Sequence, residues 1–150
     1  MPKVLTQAQI EKYNSDGFVY PIDVMTRELA QAYLQRLEAT EALQGKQLIK
    51  GSNFKPHLLF KWADELAYHP KILDAVEDLI GPNIRILSST VFPKMPGEGT
   101  FVDWHQDGTY FALEPDNVQL AVELTLTLLI FSKCLTFNVL VLILDGITIM

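Results

Sequence analysis

The sequence predicts an α+β fold, with helices first and strands second. Three observations carry that prediction. Up to residue 80, apolar residues recur at helical spacing inside segments bounded by capping residues and glycines. From Asn83 onward the texture changes to β-branched runs separated by turn-rich stretches. No internal repeat or low-complexity linker separates the two parts, so they belong to one helix-decorated β architecture.

Each element follows from local chemistry. In "LTQAQI", Thr6 caps a helix, Gln9 stands at the capping-box position, and Leu5 with Ile10 offers a hydrophobic staple. That helix stops at Asp16-Gly17, and "FVYPI" then reads as a short strand with Pro21 near its end. A longer helix starts at Thr26, with Leu29, Tyr33, Leu34 and Leu37 on one face and Gly45 near its stop. "SNFKPHLLF" is a connector whose side chains suit a cavity wall. Pro70 opens a further helix with Ile72, Leu73, Val76 and Leu79 as its apolar stripe, and Gly81-Pro82 ends it. "NIRILSSTVFP" and "TFVDWHQ" are then strands joined by the turn-rich "KMPGEG", and "DNVQLAV" begins another.

Composition excludes several classes. The formal charge of −6 argues against a nucleic-acid surface, because phosphate binding draws on clustered Lys and Arg. Cys134 is the single cysteine, which excludes an internal disulfide framework and fits a reducing compartment. The start "MPKVLTQAQIEKY" lacks the apolar stretch of a signal peptide, so the cytoplasm is the expected location.

The chemistry concentrates in "VDWHQDGTYF". Residues two apart on a strand project from one face, so His105 and Asp107 converge while Gln106 points away. An imidazole and a carboxylate on one point suit a borderline divalent metal, and two histidines with one carboxylate form the facial triad of non-haem Fe(II). The plainer reading is a surface His–Asp hydrogen bond, since such triplets arise often by chance. His69, beside the helix-starting Pro70, reads as a surface residue; His57 reads as a pocket or loop residue. Trp104, Tyr110 and Phe111 fit a pocket wall, although large rings beside strands are more often core.

The run "DWHQDGTYFALEPDNVQLAV" resembles the phytanoyl-CoA dioxygenase family of Fe(II)- and 2-oxoglutarate-dependent oxygenases. "LTQAQIEKYNSDGFVYPIDVMT", "HPKILDAVEDLIGPNI" and "PKMPGEGTFVDWHQDGTY" extend the likeness over about residues 5 to 122. The resemblance implies a double-stranded β-helix (jelly-roll, cupin-like) core behind N-terminal helices. It also implies that His105 and Asp107 are two of three iron ligands. With a one-residue shift, Lys55 falls near a lysine that contacts 2-oxoglutarate in some relatives. The implied activity is hydroxylation of a small or lipid-like substrate with O₂, Fe(II) and 2-oxoglutarate, with ascorbate as an accessory.

Two departures stand against full activity. After Asp107 the sequence has no histidine, and after Arg85 it has no arginine, so the family's second histidine ligand and its carboxylate-holding cation are missing. The domain division expected from this is 1–122 as the N-terminal part of a dioxygenase-like domain, with a truncated jelly roll, and 123–150 as an apolar tail outside the family pattern. The tail admits three readings. As a membrane span, Leu124 to Leu144 is long enough, but Lys133 sits mid-span at a cost of about 3 kcal/mol, so membrane insertion is disfavoured. As strands, "ELTLTLLIF" and "FNVLVLIL" have β-branched content but little alternation. Sequence foreign to the family, as from a truncated or mis-spliced message, explains the abrupt change most simply. An inactive fragment, or a metal-binding module without catalysis, is the alternative function.

Overall fold

A computed structural model of the chain describes residues 1–45, 48, 55–94, 99, 103, 119–125 and 134–143. Helices α1 (Gln7–Asp16), α2 (Arg27–Gln44), α3 (Lys61–Ala67) and α4 (Pro70–Ile80) precede strands β1 (Ile84–Lys94), β2 (Gln119–Thr125) and β3 (Cys134–Ile143). A 3₁₀ turn, Pro56–Leu58, lies between α2 and α3.

The helix ends are set by the capping residues already visible in the sequence. The Gln9 N–H donates to Thr6 Oγ1 at 3.3 Å, and the Thr6 N–H donates to Gln9 Oε1 at 2.9 Å, which closes the capping box. Thr26 caps α2 in the same manner through the Leu29 N–H at 3.3 Å. Gly17 and Gly45 end α1 and α2 at φ of 82° and 64°, a left-handed conformation that costs glycine little. Upstream of α1 the chain is clamped onto α4. The Asp78 carboxylate accepts the backbone N–H groups of Lys3, Val4 and Leu5 at 2.7, 2.8 and 2.9 Å. Partial burial raises the Asp78 pKa, but those three donors and the Lys3 charge outweigh it and hold the carboxyl below its ordinary value.

Two expectations need correction. The segment "FVYPI" forms no strand: residues 18–22 run without regular structure and pair with no described strand. Phe18 and Tyr20 instead stack on each other at 5.8 Å while both stay exposed, so their β propensity is spent on a local contact. Leu29, expected on the buried face of α2, remains 38% exposed because it sits in the first turn, beyond the reach of the core around Tyr33 and Leu37. Helix α3 was not anticipated. Its signal is the apolar set Trp62, Ala63, Leu66 and Ala67 at helical spacing, all buried.

The described sheet has the order β1-β3-β2, antiparallel throughout. A register shift between Ile86 and Ser88 inserts Leu87 as a bulge in β1. That extra residue changes which side chains share a face. Ile84 and Ile86 before it, and Ser89 and Val91 after it, all point toward the helices, as do Leu120, Val122 and Leu124 of β2. Against this face pack Tyr33, Leu37, Trp62, Leu66, Ile72 and Val76. The opposite face carries Arg85, Ser88, Thr90, Ala121 and Glu123. The division expected at residue 122 falls inside β2, and residues 134–143 pair with both β1 and β2. No helix among the described residues is long and apolar enough to cross a membrane.

Candidate functional site

The segment entering α3 is fastened to β1 by three contacts on one residue. The Lys55 N–H donates to the Ser89 carbonyl at 2.9 Å, the His57 N–H approaches Ser89 Oγ at 3.3 Å, and His57 Nδ1 shares a hydrogen bond with the same hydroxyl at 2.5 Å. Among the described strands, in the order β1-β3-β2, β1 has β3 on one side only, and the clasp lies on β1 at Ser89. Ser89 and His57 are buried at 1% and 7% exposure, and Pro56 between them is buried too. Removal from water lowers the His57 pKa, the nearby Lys55 charge lowers it further, and Asp64 opposes both. His57 is therefore a neutral, buried anchor, which favours the pocket reading of this residue over the loop one.

Lys55 adopts φ 58° and ψ 45°, and it is the one non-glycine residue with positive φ among the described residues. Such a conformation strains an L residue and persists only where the surroundings enforce it. Here the clasp on Ser89 enforces it. Beside Lys55 a cavity of about 730 Å³ opens between the 3₁₀ turn, the start of β1, Tyr68 and Leu73. A second cavity, about 1230 Å³, lies between the irregular segment 17–26, helices α2 and α4, and β2.

His69 occupies the N-cap position of α4 without a side-chain cap and is half-buried, in place of the surface position expected for it. Its Nδ1 is buried with no hydrogen-bond partner among the described residues, and the same holds for Ser88 Oγ on the face away from the helices. His105 and Asp107, the residues singled out by spacing, lie outside the described residues, as do Trp104, Tyr110 and Phe111. Among the described residues no three His, Cys, Asp or Glu side chains gather to hold a metal ion. His57 supplies no spare Nδ1, since Ser89 engages it.

Comparison with known proteins places the chain. Residues 13–131 match the model of the phytanoyl-CoA dioxygenase family. Over 56 residues the chain is 39% identical to a probable alpha-ketoglutarate-dependent hypophosphite dioxygenase of Stutzerimonas stutzeri. That stretch is 37% of this chain, which spans 19% of the length of the curated relative it matches. Among solved structures, a non-heme monooxygenase described as the ThoJ–Ni complex superposes with a TM-score of 0.76 at 24% identity, covering 90% of this chain and 77% of that one. Its apo counterpart superposes at 0.80 with 20% identity and the same coverage. These likenesses establish a shared fold of mixed helix and strand.

Proposed function

The chain belongs to the phytanoyl-CoA dioxygenase family, and on that premise we propose that it carries the N-terminal part of an Fe(II)- and 2-oxoglutarate-dependent dioxygenase. The observation that carries the reading is the position of "HQD", residues 105–107, inside the matched span. In this reading the strands belong to a double-stranded β-helix core, His105 and Asp107 hold the iron, and Lys55 faces 2-oxoglutarate. The family match runs to residue 131, and residues 134–143 beyond it supply the middle strand of the described sheet. Hydroxylation of a small or lipid-like substrate with O₂ is the proposed reaction, with ascorbate as an accessory. The curated relative's name, a probable hypophosphite dioxygenase, supports a small substrate.

The donor chemistry suits iron only in part. An imidazole and a carboxylate are the right types, but the sequence holds no histidine after Asp107 to match the family's second one. The iron would supply oxygen activation; this chain's own residues bind and orient. Two protein ligands instead of three also favour a second reading, a metal-binding polypeptide without turnover. Loss of support even beyond the direct ligands typically costs about 10–100-fold in metal affinity or activity, so losing a ligand costs more.

Weak binding of Fe(II), Mn²⁺ or Co²⁺ by the purified chain is therefore expected, together with no measurable succinate from 2-oxoglutarate. His105→Ala and Asp107→Ala should each abolish metal binding, whereas Gln106→Ala should leave most of it. Equal loss in all three variants would refute the shared strand face. Succinate release that disappears in His105→Ala would show instead that the chain assembles a working centre by itself.

A further inference from the structure

Two consecutive leucines, Leu58 and Leu59, stand 70% and 62% exposed where the 3₁₀ turn leads into α3. The residues just before them, Pro56 and His57, are buried. The clasp of His57 on Ser89 fixes that division, because turning the leucines inward would pull the ring off the hydroxyl. The Leu59 and Phe60 N–H groups donate to the Pro56 carbonyl at 3.0 and 2.8 Å and close the turn. The apolar pair is thus held out by a turn pinned at its buried side.

Helix α3 continues the same surface. Its buried side holds Trp62, Ala63, Leu66 and Ala67, which leaves Lys61, Asp64 and the capping Tyr68 exposed at helical spacing. Leu58 and Tyr68 border one cavity, so the tyrosine lies beside the leucines. Large apolar side chains exposed together in this way mark an interaction surface, where a single one would not.

Charge says what the surface meets. Residues 42–63 carry Lys46, Lys50, Lys55 and Lys61 and no Asp or Glu. Asp64 then opposes them from the exposed face of α3, and Glu65, engaged by Arg36, lies 3.9 Å from Lys61. Four lysines against Asp64 and Glu65 leave residues 42–65 at +2, where the whole chain stands at −6. Projecting leucines, a tyrosine and a basic surround fit the boundary between lipid headgroups and acyl chains. That boundary takes apolar side chains without a shaped pocket, favours tyrosine, and attracts lysine where the lipids are anionic. The exposed Lys61 can lay its methylenes on the apolar side while its ammonium meets a lipid phosphate. A second copy fits less well, because both copies carry −6.

We propose that this face docks the protein peripherally on an anionic lipid bilayer, with Leu58 and Leu59 entering the headgroup boundary. Such docking goes beyond the dioxygenase reading and does not depend on it.

Co-sedimentation of the full 150-residue chain with lipid vesicles tests this. Vesicles of phosphatidylcholine mixed with phosphatidylserine should retain the chain, and those of phosphatidylcholine alone should retain much less. Added salt should release it. Leu58→Ser combined with Leu59→Ser should lower the vesicle partition coefficient about tenfold or more. Lys61→Gln should lower it about fivefold, the effect of one lysine at an anionic surface. Phe18→Ser, at another exposed ring, and Lys12→Gln, at a lysine already paired with Asp16, should leave it unchanged. Equal retention by both vesicle types, or retention unchanged in the leucine or lysine variants, overturns the proposal. So does equal loss in the Phe18 and Lys12 variants, or no retention at all. If the double leucine variant fails to melt cooperatively, Lys61→Gln and the salt dependence carry the test. A dimer that forms without vesicles and is lost in the leucine variant also overturns it, and assigns the face to a second copy. Metal binding at His105 and Asp107 is measured separately, so the two readings fail independently.

Discussion

The helical region, residues 6–80, and the sheet, residues 84–143, are held together by different kinds of contact. Helices α1 and α2 are fixed at their ends by residues within about one turn. Thr6 reaches Gln9, Thr26 reaches Leu29, and Gly17 returns its N–H to Tyr13 at 2.8 Å. The described strands pair over longer stretches of chain than these caps span. Strand β1 pairs with β3 about fifty residues onward in the chain, Ile84 with Ile143 and Lys94 with Cys134, and β2 reaches β1 only through β3. Short-range chemistry builds the first region and chain topology the second, so damage to each should spread differently.

The largest effect is expected from the middle of the sheet. Val139 pairs with Ser89 on one side and Val122 on the other. Val139→Pro removes a backbone donor and forces the φ of a strand paired on both edges. Destabilisation above about 4 kcal/mol, the exceptional range for one substitution, is expected as loss of a cooperative urea transition. If the transition survives with an unchanged midpoint, β3 is not the shared partner of β1 and β2.

A core truncation should come next. Leu37 is fully buried on α2 within the cluster that also holds Val91, Leu120 and Leu124. Leu37→Ala is expected to cost about 2–5 kcal/mol, read as a shift in the denaturation midpoint at constant slope. The two regions should melt together, because this cluster is the seam between them. A biphasic melt would separate them.

Losing a local closure should matter less. Thr6→Ala opens the capping box and should cost about 1 kcal/mol. Hydrogen exchange should then rise in α1 and leave β1 protected, which distinguishes a local contact from a shared one. Equal loss of protection in β1 would contradict that local character.

The smallest effect is a pH dependence at the clasp. His57 has a folded pKa below its ordinary 6.5, chiefly through burial. Below that value the unfolded chain binds a proton that the folded chain resists, so stability rises with pH there. This contribution is complete above pH of about 6.5 and is lost as the pH falls toward the folded value. The melting temperature should decline on acidification below about 6.5, and His57→Asn, which retains a hydrogen-bonding side chain without the titration, should flatten that decline. An identical slope in the variant would assign the acid sensitivity to other groups.

Much of the helical half was legible because its information is local. Capping residues, glycine stops and the Pro70 start place α1, α2 and α4 to within a residue or two. Helix α3 escaped because seven residues give too short a period to separate from a connector, although Trp62 and Leu66 carried the signal. Strands β1 and β2 were readable from their β-branched runs. The face of β1 was not, since the bulge at Leu87 moves the buried set from Ile84 and Ile86 to Ser89 and Val91. The proposal of His105 and Asp107 as iron ligands rests on spacing and family likeness alone. The clasp of His57 on Ser89 links residues 32 apart and has no signature in either stretch of sequence.

The sequence by itself determined where the chain turns helical, where it caps and stops, and which family the residues around "HQD" belong to. Those properties depend on neighbours within one or two turns, or on residue order alone. Tertiary structure decided the rest. An apolar run such as "CLTFNVLVLI" fits a buried helix or a strand by periodicity, and only pairing with β1 and β2 makes it the middle strand. Lys55 is likewise an ordinary lysine in the sequence. The carbonyl of Ser89 takes its N–H, and the Ser89 hydroxyl holds the ring of His57 two residues on, because contacts between distant segments form only once the chain has folded.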